Sequence, residues 1–420
     1  MFENIIQQKA LDTLIKDVRA KKVPQAMLFA GAENSAKLTT ALELARVLSC
    51  TKKADWTCDC PSCASMRSMS STDLLIIGQR DVTLEIKAAA NTFLKMKGAG
   101  AHFLFSRAVK KLLFRFDARL WDTDESRFIK ASPLVSDSYD LLNDTAKFLE
   151  NGDEKKLLTS VEKICTVTEK IQDVLYDSIP VNQVRKASAW IRLAPAAQYK
   201  FLIVENAERM QESARAAFLK ILEEPPRYSF FILTSTRPSA IMQTILSRVR
   251  KYNFLPRGNT CEAEIIERVF HDTVPSGQNE NILDRYFQNF LPVPFEKIQA
   301  AADDFWFCLL ENNSLPQYSP LRRVKKLLFS ENTSERKTIA QILKSIDGAK
   351  NPTVFKILCG QITDVLQKLL NANENLTAPE LEDLFHTTKI ILKWKSAHDV
   401  YNISEHAALE SMMMEIASLR

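Results

Sequence analysis

Three things are scarce in this sequence: glycine, excess charge of one sign, and long apolar runs. It has 9 glycines in 420 residues, and this scarcity favours helices over an all-β fold. The net charge is only +5, which permits contact with nucleic acid but does not indicate a dedicated nucleic-acid binder. No apolar run approaches the roughly 20 residues that a membrane-spanning helix needs, so we expect no membrane association.

The N-terminal residues also lack a basic segment leading into an apolar core, as a signal peptide would have. We therefore expect a cytoplasmic protein whose eight cysteines are reduced thiols or metal ligands rather than disulfides. The 46% of hydrophobic and 25% of charged residues are typical of a globular protein with a sizeable core. The length of 420 residues predicts two or three domains.

Short apolar segments alternate with helical patterns in the first part of the chain. The runs at 26–30, 200–204 and 230–233 are typical of buried strands, and each is followed by glycine or polar residues. Strands that alternate with helices predict a parallel α/β sheet, and ligands of such sheets lie at the carboxyl ends of the strands. Beyond residue 257 only helical spacing of apolar residues remains, which predicts an all-α remainder.

Four landmarks occur in order along the chain: a P-loop-like turn at Gly31, cysteines at 50–63, Leu-Glu-Glu-Pro-Pro at 222–226, and Ser-Arg at 247–248. Taken together they resemble the bacterial DNA polymerase III clamp-loader family. The resemblance covers a little over a third of the chain. As partners it implies other clamp-loader subunits, gamma/tau and delta, and through the complex the sliding clamp and primer-template DNA.

The resemblance also implies a domain order. An α/β AAA+ module with a parallel sheet and a P-loop-like turn is expected over 1–255, with a zinc module at 50–63 and a helical insertion at 79–177. An all-α lid domain is expected over 256–294. An all-α collar domain, used for oligomerisation in the family, is expected over 295–420.

The nucleotide loop departs from the pattern of a working phosphate loop, G-x-x-x-x-G-K-[ST]. Lys37 is retained, but Ala36 replaces the second glycine and Leu38 replaces the hydroxyl residue that binds Mg²⁺. Gly31 and Lys37 therefore remain as the cofactor-binding residues of a degenerate loop. Lys37 either keeps part of a phosphate-binding role or is a solvated helix residue.

The acidic motif of the family has changed as well. A working site has Asp-Glu at the end of a strand, whereas this chain has Glu205-Asn206. Glu205 could still reach a cation, but the amide of Asn206 cannot take up a proton as a general base. These losses make the chain similar to the delta-prime type, which lacks ATPase activity, and we expect that this subunit does not bind ATP. The alternative is an active gamma/tau-like ATPase with an unorthodox loop.

The Ser-Arg-Cys motif of the family supplies an arginine to the γ-phosphate in the site of a neighbouring subunit. It reads Ser247-Arg248-Val249 in this chain. Arginine suits that role because it is always charged and presents a fork of donors to phosphate. The resemblance therefore assigns Arg248 the role of an arginine finger acting in trans, and the alternative is an ordinary surface ion pair.

A cysteine cluster is the strongest metal signal in the sequence. Four thiols within fourteen residues of a reduced chain favour a closed, tetrahedral, structural Zn²⁺ site. The ligands are Cys50, Cys58, Cys60 and Cys63. The short spacing of Cys58 and Cys60 leaves a partial site as the alternative. A zinc-stabilised DNA-binding module outside replication is a further function to weigh.

The segment 79–177 is not explained by the resemblance. Its apolar residues from Phe105 to Leu120 fall on one helical face, and Arg107, Lys111 and Arg115 fall on the opposite face. These basic residues either meet the phosphates of DNA or form a solvated surface on a helix packed against the core.

Overall fold

The computed structural model describes residues 1–275, 281–312, 321, 323–324, 337–346, 352–371, 376–401 and 403–419. They fall into two compact units, Met1–Phe287 and Gln288–Arg420. The division into module, lid and collar with boundaries at 255 and 294 stays a prediction. Residues 276–280 of the predicted lid, and several stretches of the predicted collar, lie outside the described residues.

A five-stranded sheet forms the centre of the first unit. Its strands are β1 (Ala26–Gly31), β2 (Leu74–Ile77), β3 (Lys200–Val204), β4 (Ser229–Ser235) and β5 (Arg250–Phe254). All pairings are parallel, and the strand order is β2-β3-β4-β1-β5. The predicted parallel sheet is confirmed, and the three predicted strands correspond to β1, β3 and β4.

The middle strands are buried on both faces, which explains why they are continuous apolar runs. Met27 and Phe29 of β1 belong to the core on one face, whereas Leu28 and Ala30 belong to the core on the other. This alternation is the two-residue period of a strand. Because the strands are parallel, the carboxyl ends of β1, β3 and β4 meet at one edge of the sheet.

Helices cover the sheet and account for most of the first unit. Their bounds are α1 (Ala10–Arg19), α2 (Lys37–Ser49), α3 (Pro61–Arg67), α4 (Thr83–Met96), α5 (Ala99–Leu113), α6 (Ser126–Asn151), α7 (Glu154–Val174), α8 (Val181–Ile191), α9 (Glu212–Glu223), α10 (Gln243–Leu246), α11 (Asn259–Val269) and α12 (Ile282–Gln288). The segment predicted as a helical insertion contains α4 to α7, and that it is an insertion stays a prediction. Helix α5 packs against α4, and α6 packs against α7.

The described part of the second unit is helical, as predicted. Its helices are α13 (Phe295–Asn312), α14 (Ile339–Ser345), α15 (Pro352–Asn371), α16 (Ala378–Tyr401) and α17 (Glu405–Ala417). They enclose an apolar core of their own, which includes Phe305, Trp306 and Phe355. Across the described residues, every helix is too short or too polar to cross a bilayer.

Candidate functional site: the loop after β1 and the paired charges beside it

The loop that follows β1 turns tightly into α2. A Cβ on Gly31 would lie 2.1 Å from the carbonyl oxygen of Phe254, so only glycine lets β5 approach this closely. Ala36, which precedes α2, has a left-handed backbone with φ of 66°. Such a conformation costs a residue other than glycine about 1 kcal/mol. The loop thus keeps the path that a second glycine would allow, although alanine occupies the position.

Lys37 does not extend from this loop. Its Nζ donates to the carbonyl oxygens of Gly31, at 2.8 Å, and of Ala32, and to the hydroxyl of Ser35 at 3.2 Å. Only 8% of the residue is exposed. Burial, followed by the charge of Arg80, lowers the pKa of Lys37 to about 8, although nearby carboxylates oppose the shift. The prediction of a solvated helix residue is wrong, because the three donors of this ammonium satisfy the loop itself.

Leu38, at the position of the Mg²⁺-binding hydroxyl, is a buried core residue. It belongs to the same apolar cluster as Met27 and Phe29 of β1. A side chain packed in a core provides no oxygen to a cation, so this position has become structural.

Glu205 follows β3 at the same edge of the sheet and is almost fully buried. One carboxylate oxygen accepts from Arg115, and the other lies 3.1 Å from Nε of Arg80. Arg115 is itself 2% exposed. Two guanidinium groups therefore pair with the carboxylate that, from the sequence, could still reach a cation.

The pairing extends to a second carboxylate. Glu85 of α4 accepts from Arg80 and from Lys111. Burial alone would raise the pKa of Glu85, but Lys111 and Arg80 lower it to about 2. Arg80, Lys111 and Arg115 thus share two carboxylates.

The structure corrects the prediction for the basic residues of α5 and the turn after it. Lys111 and Arg115 are predicted to meet DNA or to be solvated, yet Lys111 pairs with Glu85 at the start of α4 and Arg115 pairs with Glu205 at the end of β3. Neither Arg80 nor Glu85 was singled out from the sequence. Arg80 and Arg115 lie far from Glu205 along the chain, and no motif joins them, so only folding reveals this pairing.

Asn206 closes the same edge. Its amide nitrogen donates to the carbonyl oxygen of Gln79 at 2.6 Å, and its backbone has a left-handed φ of 52°. Asparagine tolerates this conformation better than most residues. The residue therefore joins the ends of β3 and β2.

Arg248 lies between α10 and β5 and is held loosely. Its guanidinium donates to Glu223 at 2.8 Å and to the carbonyl oxygen of Thr244 at 2.8 Å. The side chains of Arg248 and Glu223 are 34% and 52% exposed. Glu223 belongs to the Leu-Glu-Glu-Pro-Pro landmark, so folding brings two of the sequence landmarks into contact.

The four cysteines of the predicted metal site converge. Their Sγ atoms all lie within 4.8 Å of one another, and Cys50 is 3.6 Å from Cys58 and 3.9 Å from Cys60. Tetrahedral Zn²⁺ with bonds of about 2.3 Å sets its sulfur ligands about 3.8 Å apart. The short spacing of Cys58 and Cys60 therefore does not prevent all four thiols from facing one point, and the cluster can hold a metal ion.

Neighbouring groups fix this module to the unit. Arg46, which is buried, donates to Cys63 Sγ at 3.1 Å and forms an ion pair with Glu43 at 2.6 Å. The backbone N–H of Cys63 donates to Cys60 Sγ at 3.4 Å. Such donors stabilise thiolates and orient them as ligands.

The parallel sheet, with a loop that runs from β1 into α2 and an acid at the end of β3, is consistent with an AAA+ α/β module. The chain belongs to the family described as DNA polymerase III, delta subunit, whose model matches residues 6–101 and 144–257, half of the chain. It is thus a clamp-loader subunit of DNA polymerase III. The family match includes both ends of the segment predicted as an insertion and is interrupted at 102–143.

Relatives with curated names agree with this family. The chain is 37% identical over 75 residues to DNA polymerase III subunit tau of Bacillus subtilis (strain 168), which is 18% of this chain and 13% of that protein. It is 35% identical over 77 residues to DNA polymerase III subunit delta' of Buchnera aphidicola subsp. Baizongia pistaciae (strain Bp), 18% of this chain and 23% of that protein. The chain thus spans less than a quarter of the length of either relative.

One solved structure is also similar, a DNA polymerase III gamma subunit-related protein from Thermotoga maritima. The sequence identity is 17%, the TM-score is 0.30, and the match covers 57% of this chain and 80% of that one. A TM-score this low supports no inference about this chain.

Proposed function

We propose that this chain is the non-hydrolysing, delta-prime-like subunit of a DNA polymerase III clamp loader. In this role it assembles with gamma/tau and delta subunits and supplies Arg248 to the ATP site of a neighbouring subunit. The complex loads the sliding clamp onto primed DNA during DNA replication. The observation that carries the proposal is the pairing of Glu205 with Arg115 and Arg80.

A nucleotide site needs a free carboxylate for Mg²⁺ and a free ammonium for phosphate. In this chain Glu205 is engaged by two arginines and Lys37 by its own loop. Taking one partner from a buried ion pair costs about 3–5 kcal/mol, so binding Mg²⁺ at Glu205 begins with a large penalty. The alanine, leucine and asparagine at positions 36, 38 and 206 support the same conclusion.

Arg248 differs because its ion pair with Glu223 is half exposed. Such pairs contribute about 0–1 kcal/mol. A triphosphate in a neighbouring subunit carries more charge than one carboxylate and accepts the bidentate fork of arginine. Arg248 can therefore leave Glu223 at little cost when the loader assembles.

The direct test is nucleotide binding by the full chain on its own. Titration with a fluorescent ATP analogue, with and without Mg²⁺, should give no Mg²⁺-dependent binding in the micromolar range. The gamma/tau subunit of the same loader, under the same conditions, is the positive control. Micromolar, Mg²⁺-dependent binding by this chain would contradict the proposal and support the alternative of an active ATPase.

We further infer that the metal of the cysteine cluster is Zn²⁺, because four thiolates in tetrahedral arrangement favour it. The metal would close the module structurally, since four sulfur ligands leave no position for water. Plasma mass spectrometry of the purified chain should give about one equivalent of zinc. Cys63→Ala should abolish it, whereas Cys359→Ala, in the core of the second unit, should not. Less than about half an equivalent in the wild type would count against this site.

A further inference from the structure

A basic cavity lies between the end of α3 and one side of α5, apart from the nucleotide loop. It is partly open to solvent and has a volume of about 130 Å³. Among its lining residues are Arg67, His102, Phe103, Ser106, Arg107 and Lys110. The members on α5 lie three or four residues apart and therefore share one face of the helix. The function described above leaves this cavity unused.

Three cations line the cavity, and within the described part of the chain none of them forms an ion pair. Instead they donate to backbone carbonyl oxygens. Arg107 donates to Arg67 at 2.8 Å, Lys110 donates to Ser68 at 2.9 Å, and Arg67 donates to both Trp56 and Cys58. Burial lowers the pKa of Lys110, as expected for an ammonium that has no carboxylate beside it.

Nearby carboxylates are already engaged elsewhere. Burial lowers the pKa of Arg107 to about 10, while the charges of Glu43 and Glu85 oppose this shift. However, Glu43 is bound by Arg46, and Glu85 is bound by Arg80 and Lys111. The positive charge of the cavity is therefore not balanced by an acid in contact with it. An anion that entered would gain hydrogen bonds from side chains that are already oriented.

Phe103 indicates what kind of anion fits. Phe103 is 36% exposed, and the guanidinium of Arg107 lies 6.0 Å from the centre of its ring. An aromatic ring contributes nothing to the binding of a free phosphate ion. It contributes to the binding of single-stranded nucleic acid, whose phosphates contact cations while its unpaired bases stack on aromatic side chains.

We propose that this cavity binds a backbone phosphate of single-stranded DNA, with the adjacent base stacked on Phe103. That the polyanion is DNA rests on the proposed function, while the position of the site rests on the cavity itself. Arg107 provides guanidinium donors, Lys110 provides a point charge, and Ser106 provides a hydroxyl. Arg67 contributes charge, because both of its terminal nitrogens already donate to backbone carbonyl oxygens. Arg67 is also tied to the carbonyl of Cys58, so the cysteine module helps to position it.

The test is fluorescence anisotropy of a labelled oligothymidylate with the full, metal-loaded chain over a range of salt concentrations. Lys110→Gln should weaken binding about five- to tenfold and lower the slope of log affinity against log salt by about one. Lys110→Arg should keep the affinity. Lys130→Gln removes one charge from an exposed position on α6 that does not line the cavity, and it should bind like the wild type. Phe103→Ala should weaken single-strand binding and leave any duplex binding unchanged.

Several results would overturn the proposal. These are no binding at low salt, equal effects of Lys110→Gln and Lys130→Gln, or an affinity that Phe103→Ala leaves intact. Inorganic phosphate is a separate arm: if it binds to the chain and the oligonucleotide does not, the site serves free phosphate and not a strand. Failure here is distinguishable from failure of the proposed function, because the role of Arg248 is measured as ATP turnover without DNA.

Discussion

Two glutamate–arginine pairs in the first unit have opposite surroundings. Glu205 and Arg115 are almost completely buried at the edge of the sheet, whereas Glu223 and Arg248 are about one-third to one-half exposed. A buried pair holds its partners firmly, because removing one leaves an uncompensated charge away from water. An exposed pair exchanges partners at little cost. This chain therefore keeps the charged groups at the end of β3 away from solvent and leaves Arg248 exposed.

The buried pair can be tested by measuring the stability of the chain, where we expect the greatest change. Glu205→Gln should lower the free energy of unfolding by about 3 kcal/mol or more, because Arg115 and Arg80 lose their shared carboxylate. Urea denaturation followed by circular dichroism gives the value. Glu223→Gln is the matched control, the same change in the exposed pair, and it should cost less than about 1 kcal/mol. Equal losses for the two variants would remove the distinction.

The exposed pair is tested through activity of the assembled complex. Arg248→Ala should leave the stability of the chain intact and lower the ATP turnover of the reconstituted loader by about tenfold or more, as loss of an arginine finger does. Arg248→Lys should recover little, since an ammonium lacks the fork. Glu223→Gln should leave turnover unchanged, because Glu223 pairs with Arg248 only while Arg248 is not bound to the neighbouring ATP site. Normal ATP turnover with Arg248→Ala would contradict the proposed role of this arginine.

The smallest expected effect concerns Lys37 and pH. Its pKa of about 8 in the folded chain is lower than the value of about 10.4 in an unfolded chain. Between these two values the unfolded state binds more protons, so stability should rise as pH increases from about 8 to 10. The unfolding free energy of the wild type minus that of Lys37→Gln should increase over this range. A difference that stays flat with pH would contradict the burial of this ammonium.

The sequence predicted some parts of the molecule well because their signals are local. Apolar runs predicted β1, β3 and β4, since a strand buried on both faces needs continuous apolar residues. The close spacing of the four cysteines limited the possible geometries, and the thiols do converge. The predicted helices between the sheet strands and in the second unit follow from periodicity in the same way. The roles of Lys37, Glu205 and Arg248 in nucleotide chemistry stay predictions.

The prediction from sequence was wrong for Lys111 and Arg115. A basic face opposite an apolar face of a helix is usually solvated, and the local sequence does not show which elements will pack against the basic face. Their acidic partners come from the start of α4 and the end of β3, and folding alone brings these elements together. The basic cavity could not be predicted from the sequence for the same reason, because its cations come from two helices, α3 and α5, that only folding brings together.

Residue types and their order are enough to predict the parallel sheet, the helical remainder, the membership of a clamp-loader family and the loss of the loop's glycine and hydroxyl. These features depend on residue type and on short spacing along the chain. Which charges are satisfied can be seen only in the folded chain. Lys37 is bound by its own loop, Glu205 is held by two distant arginines, and Arg248 is bound weakly at the surface. The energy of an ion pair depends on burial and on partners in space, and neither is encoded in the local order of residues.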